Sequence, residues 1–266
     1  MNINSLKIIC FSPTGTTEQV VQAVARGIGI NDVELVDITG PEARLHPLVT
    51  AEDELIVIGV PVYMGRVPGL LQEWFTKIEA DASPAVCVVV YGNRVYDDAM
   101  LELKDIMQKQ GAVPVACAAY IGEHSFSEEQ TPTAHGRPDS SDLNHAEMFG
   151  VKIREKLDSI TDPAESCVKN IPGEFPYRGS TELWDVDFIA VDESCVQCGL
   201  CTEICPTGAV DAKNSSLIDQ VKCITCCACI KKCPQQARTM KDSPVKDARV
   251  RLNKLFAEPK EPECYL

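Results

Sequence analysis

The sequence has no basic leader followed by a long apolar run and a small-residue cleavage site, and nowhere does it approach the ~20 consecutive apolar residues of a membrane span. A soluble, cytoplasmic protein is the expectation. It also lacks a GxxxxGK[ST] loop and a GxGxxG turn after a strand, because Gly27-Ile28-Gly29 falls at a helix end and has no third glycine. Nucleotide sites of those two kinds are excluded. A phosphatase-like loop starting at Cys10 would need arginine where Thr16 stands. No general acid–base pair, no nucleophile with its base and no nicotinamide fingerprint stands out, so any chemistry must come from bound cofactors.

What is present begins with 266 residues, 45% of them apolar, enough for two modest domains with real cores. The formal charge of -14 is uneven, since residues 1 to 160 hold 12 basic and 23 acidic side chains while the region rich in cysteine is nearly balanced. An acidic surface argues against nucleic acid and anionic membrane and suits basic protein partners. Fourteen cysteines in a chain of this kind read as metal ligands or redox groups rather than disulfides. Cys10, Cys87, Cys117, Cys167 and Cys264 are scattered, whereas the other nine lie between Cys195 and Cys233.

Short apolar or β-branched runs at 7–11, 33–37, 54–60, 85–91 and 113–120 read as strands. Between them, helical periodicity is found over Thr16 to Gly27, about Gly69 to Ala80, Asp97 to Gln110 and about Asn144 to Ser159. Near-continuous apolar strands alternating with helices imply an α/β fold with a five-stranded parallel sheet covered on both faces. The polar stretch 121–143 is a long loop after the fifth strand, and a loop that long is usually functional. Four parts are expected: a first domain at 1–160, a linker at 161–186 containing Pro163, Pro172, Gly173 and Pro176, a cysteine domain at 187–240, and a charged tail at 241–266.

The cysteine region is duplicated. Cys195, Cys198, Cys201 and Cys205-Pro206 are matched by Cys223, Cys226, Cys229 and Cys233-Pro234, and both copies fit C-x2-C-x2-C-x3-C-P. Three thiolates in a tight loop can seat three corners of an iron–sulfur cubane, and the fourth corner needs a ligand from elsewhere. Eight cysteines in two such groups exceed what one tetrahedral zinc requires. Cys227 is out of register and reads as a packing residue. Residues 187–240 thus resemble the bacterial two-cluster ferredoxins, which implies an α+β domain with two 4Fe-4S clusters and crossed ligands. One cluster would take Cys195, Cys198, Cys201 and Cys233, and the other Cys223, Cys226, Cys229 and Cys205.

Ser12-Pro13-Thr14-Gly15-Thr16-Thr17 stands between the first strand and a helix, where hydroxyls and free amides suit a phosphate monoester. Ser12, Thr14, Gly15 and Thr17 meet the [TS]-x-T-G-x-T pattern of the flavodoxins, which the first domain resembles over about residues 5 to 160. That resemblance implies flavin mononucleotide (FMN), with its ring held by the loops Pro61, Val62, Tyr63, Gly65 and Tyr91, Gly92, Asn93, Arg94, Tyr96, Asp97. Tyr63 and Tyr96 are the aromatics expected beside the ring. Arg94 departs from the acidic surroundings usual in that family; it would favour the reduced flavin, or else pair with Asp97 or Asp98. The whole resembles a family of flavodoxin–ferredoxin electron carriers of anaerobes, in which segments matching Gly122 to Phe126 and His135 to Asp139 lie beside the flavin. His124 and His135 are therefore further candidates. The implied function is electron carriage between FMN, two 4Fe-4S clusters and separate redox proteins such as ferredoxin- or flavodoxin-dependent enzymes, with a homodimer left open. The rivals are a flavoenzyme reducing a quinone, corrinoid or similar acceptor, with 121–143 as a lid, and a scaffold whose clusters only stabilise the fold.

Overall fold

The computed structural model describes residues 3–161, 166–182 and 184–266. The first domain runs β1 (Ser5–Cys10), α1 (Thr16–Ile28), β2 (Val33–Asp37), β3 (Leu48–Thr50), β4 (Glu54–Pro61), α2 (Gln72–Phe75), β5 (Ile78–Ala80), β6 (Pro84–Tyr91), α3 (Ala99–Lys109), β7 (Val113–Ile121) and α4 (Ser140–Ser159). Five strands pair in parallel in the order β2-β1-β4-β6-β7. Numbered among themselves, these follow 2-1-3-4-5, the flavodoxin-like doubly wound order. Every residue of β6 is buried, as its unbroken apolar sequence requires of a strand covered on both sides. Ile58, Trp74, Met100 and Leu103 pack on the face carrying α2 and α3. Val20, Val24, Val57, Phe149 and Ile153 pack on the face carrying α1 and α4. Those two helices cross where each has a glycine: a Cβ on Gly27 would stand 1.8 Å from the Glu147 carbonyl oxygen, and one on Gly150 2.1 Å from that of Val24.

The second part contains β8 (Ile189–Val191), α5 (Leu200–Glu203), α6 (Ala228–Lys231), β9 (Arg238–Met240), α7 (Pro244–Leu255) and β10 (Glu263–Tyr265), with β8 antiparallel to β9. Phe188, Ile189, Val210 and Val245 share a small core with the cysteines.

Three sequence expectations change. The helix expected over 69–80 ends at Phe75, and Ile78–Ala80 becomes β5, parallel to β3. Leu71, Trp74, Phe75 and Ile78 are all buried and do carry helical spacing, but pairing with a distant strand overrides it. Helix α4 begins at Ser140, ahead of the expected Asn144, because Asp139 and Asp142 form a reciprocal cap. The charged tail is structured: α7 leads to β10, which adds antiparallel to the β7 edge as a sixth strand. The expected linker makes contacts of its own. Val168 N donates to Pro114 O at 2.8 Å, Tyr177 Oη to Asp105 Oδ2 at 2.8 Å, and the Arg178 guanidinium to both oxygens of Asp98 at 3.1 and 2.9 Å. Pro163 lies outside the described residues.

Candidate functional site

At the carboxyl ends of β1, β4 and β6, where an open α/β sheet places its ligands, lies an open cleft of about 820 Å³. Ser12, Thr14, Thr16 and Thr17 form one end of it. The turn is made by Gly15, whose φ of +89° sets α1 off from β1. Ser12 O accepts from Gly15 N at 3.1 Å, and Ser12 Oγ accepts from Glu18 N at 3.0 Å. Gly15 at the N-cap has no side chain to cap the Thr16 and Thr17 amides. The leading amides of the helix, with the threonine hydroxyls, therefore make an anion-binding end.

Pro61, Val62, Tyr63, Tyr91 and Gly92 line the remainder, as expected from the sequence, together with Gly122 to Phe126. Tyr63 meets Phe11 edge to face with centroids 6.5 Å apart. His124 lines the cleft, and its Nδ1 accepts from Phe126 N at 3.1 Å, so the neutral ring carries its proton on Nε2. Burial, with Lys231 and Arg94 nearby, lowers its pKa to about 4. His135 instead stands 3.5 Å from Glu123.

Besides Gly15, which makes the turn, five expected residues of the ring loops do not line the cleft. Tyr96 turns into the core against Tyr91, and its hydroxyl donates to Glu263 Oε2 at 2.6 Å. Asn93 is buried and donates to the carbonyls of Phe256 and Glu258 at 2.7 and 2.9 Å. Arg94 pairs with Asp97, and Gly65 packs against Asp97. These residues hold the chain's own C-terminal segment and one another. That segment reads in the sequence only as a charged tail, so nothing local could show the partnership.

Three residues that sequence reasoning missed close the cleft from the second half of the chain: Trp184, Ile224 and Thr225. Trp184 falls in the expected linker, and Ile224-Thr225 are the two spacer residues between Cys223 and Cys226. Thr225, with φ +53°, corresponds in the duplication to Gln197, with φ +54°.

The duplicated motif folds as a duplicated structure. Cys201 lies on α5 and Cys229 on α6, each helix entered through a left-handed residue, Gly199 in one copy and Cys227 in the other. Cys227 is thus a turn position occupied by an unusual side chain, which explains its register. Cys205, Cys223, Cys226 and Cys229 line one void, and Cys195, Cys198, Cys201 and Cys233 a second. Each set draws its fourth cysteine from the other motif. Among the described residues no three His, Cys, Asp or Glu side chains converge closely enough for a single metal ion. Four thiols round each void are a donor set that fits a 4Fe-4S cluster. Burial raises the Cys223 and Cys226 thiols and pushes Cys229 up to about 12. A bare thiolate is disfavoured there, and iron bound to the sulfur would supply the missing positive charge.

Ile224 lines both the cleft and the void of the Cys205 set. On the same side, the Tyr63 phenol is raised well above its ordinary range by burial, with Cys226 and Cys227 adding to the effect. Further contacts tie the halves together. Lys231 pairs with Glu123 and donates to Ser127 O at 2.8 Å, Arg249 pairs with Glu128 at 2.6 Å, and Arg44 donates to Pro206 O at 2.5 Å. The loop 122–139 is pinned by the second domain along its length.

Residues 189–211 match the family model described as a 4Fe-4S binding domain. Among solved structures, the chain is similar to a flavodoxin from the domain Archaea at 14% identity, covering 58% of this chain and 99% of that one with a TM-score of 0.40. It is similar also to rubredoxin oxygen:oxidoreductase from the anaerobe Desulfovibrio gigas at 12% identity, covering 59% of this chain but 36% of that one with a TM-score of 0.41. Fusobacterium nucleatum flavodoxin bound to flavin mononucleotide matches at 12% identity, covering 57% and 98% with a TM-score of 0.37. No curated protein matches. At these identities and scores, the fold rests on the strand order given above. The chain joins a flavodoxin-like domain to a 4Fe-4S binding domain, and none of its helices is long and apolar enough to cross a membrane among the described residues.

Proposed function

We propose that the chain is an electron carrier that holds FMN in the cleft and two 4Fe-4S clusters in the two cysteine-lined voids. The observation that carries this reading is Ile224, which is at once a wall of the cleft and a wall of the nearer void. A bound flavin exchanges electrons in pairs or singly, and a 4Fe-4S cluster exchanges them singly, so the combination can divide or pool electron pairs. The chain's own residues supply position and exclusion of water. The Ser12 to Thr17 loop would anchor the phosphate, and Tyr63, Tyr91 and Trp184 would border the ring. Cys205, Cys223, Cys226 and Cys229 would hold the cluster on the cleft side, and Cys195, Cys198, Cys201 and Cys233 the one farther along the chain of contacts. Cys198 and Val196 are exposed beside that second set, where a redox protein could approach.

The pinned loop 122–139 favours the carrier over an enzyme with a mobile lid. Anaerobically purified protein should contain one FMN and about eight irons. Thr14→Ala with Thr17→Ala should weaken FMN roughly tenfold to hundredfold per lost charged hydrogen bond while leaving iron unchanged. Unaltered flavin affinity in that double variant would put the cofactor elsewhere. Turnover of a small acceptor without any partner protein would favour the flavoenzyme.

A further inference from the structure

The duplication gives the two voids the same arrangement of cysteines, but one of the wall positions that differ between them differs in charge. Five residues beyond the last cysteine of each motif stand Val210 and Arg238. Val210 lines the void of the Cys205 set, and Arg238 lines the void of the Cys195 set. Both are buried, at 4% and 3% exposure. A buried valine there is ordinary core. A buried guanidinium is not, because an ionised group withdrawn from water costs several kcal/mol unless an opposite charge and hydrogen bonds offset it.

Arg238 has little to offset it. Its Nη2 donates to the Ser215 carbonyl, and Ser215 N in turn donates to Gln197 Oε1 at 2.8 Å, which ties the guanidinium to the loop between Cys195 and Cys198. Its Nη1 is buried with no hydrogen-bond partner, and among the described residues no carboxylate pairs with it. A donor and a positive charge are thus left unmatched at the wall of a void ringed by four thiols. A thiolate-ligated 4Fe-4S cluster is the matching group: it is anionic, and its sulfurs accept hydrogen bonds.

We propose that Arg238 donates to the cluster held by Cys195, Cys198, Cys201 and Cys233 and raises its reduction potential above that of the cluster beside the cleft. The proposal rests on the two-cluster reading above. One-electron reduction adds one negative charge and needs no proton, and a fixed cation at the sulfurs favours the more negative state, as an opposite charge favours any anion. Hydrogen bonds to the sulfurs act in the same direction, whereas Val210 offers neither effect to the other cluster. Electrons arriving from the cleft side would then come to rest on the cluster that lies beside the exposed Cys198.

The test is a spectroscopically monitored titration of the intact, anaerobically loaded protein, with dithionite as electron source. The wild type should show two separated potentials. Arg238→Met should lower the higher one by at least tenfold in the one-electron equilibrium, which is ~59 mV. A smaller fall is expected at the other cluster, because a charge's effect weakens with distance. Arg238→Lys, which keeps the charge without the fork, should lie between wild type and Arg238→Met. The shift is assigned by repeating the pair in a Cys226→Ser background, where about four irons should remain. Fully loaded Arg238→Met with wild-type potentials, or with the larger fall on the other cluster, overturns the proposal. If Arg238→Met does not load, Arg238→Lys and Arg238→Gln decide the matter by the same measurement, and wild-type potentials in both count against it. A wild type with only about four irons would instead overturn the two-cluster reading itself.

Discussion

His124 shows how a single side chain can report on the cleft through pH. Its ring has a folded pKa of about 4 against an ordinary 6.5, chiefly because burial disfavours the cation and secondarily because Lys231 and Arg94 are near. Below pH ~6.5 the unfolded chain takes up a proton that the folded protein refuses, so the native state should lose stability as pH falls toward about 4 and level off below it. His124→Gln should remove that part of the slope, as read from unfolding midpoints at pH 7.5 and pH 5. Identical slopes in the two proteins would show that His124 does not titrate in this way. Tyr96 and Trp184 teach the complementary lesson about legibility. Tyr96 has the sequence position of a ring-bordering aromatic, yet its hydroxyl is committed to Glu263. Trp184 has no motif around it, yet it lines the cleft.

At the scale of elements, the C-terminal segment is the part whose role changes most. β10 extends the sheet at β7, Glu263 accepts from Tyr96, Lys260 O accepts from Arg137 at 2.8 Å, and Lys260 Nζ donates to Arg94 O at 2.5 Å. These contacts fasten the turn that follows β6 and the approach to α4. Removal of residues 256–266 would strip Asn93 of both its acceptors and leave a buried amide unpaired. The truncated protein should lose about 2 to 4 kcal/mol, at roughly 1 kcal/mol for each of several hydrogen bonds, and its 92–97 turn should become sensitive to protease. Full stability on denaturant unfolding would mean the segment is ornamental. The milder Glu263→Gln change, which spares the strand, should cost less than half as much.

For the molecule as a whole, the cleft is built by both halves of the chain, so the cofactors should be thermodynamically linked. Iron bound by Cys223 and Cys226 would order the Ile224-Thr225 wall, and any ligand that prefers the ordered wall must in turn favour iron binding. Iron-free protein should therefore bind FMN roughly five- to hundredfold more weakly than loaded protein, within the usual span of coupling energies. Ile224→Ala should weaken flavin in loaded protein and make little difference in iron-free protein. Equal flavin affinity with and without iron would separate the two sites. Flavin fluorescence quenching measures both cases.

Local chemistry determined much of this by itself. An apolar strand such as 85–91 has to be covered on both faces, a Thr-Gly-Thr turn before a helix leaves amides for an anion, and C-x2-C-x2-C-x3-C-P would leave one corner of each proposed cubane to a remote cysteine. Each of these is a consequence of spacing within about a dozen residues. What only the tertiary structure decided depends on residues far apart in sequence: β5 in place of a helix, a tail that becomes an edge strand, Tyr96 committed to Glu263, and Trp184 and Ile224 set against the cleft. Arg238 belongs with these, since its meaning comes from burial without a counter-charge. Burial and pairing between remote segments are set by how the whole chain packs, and no local pattern carries that information.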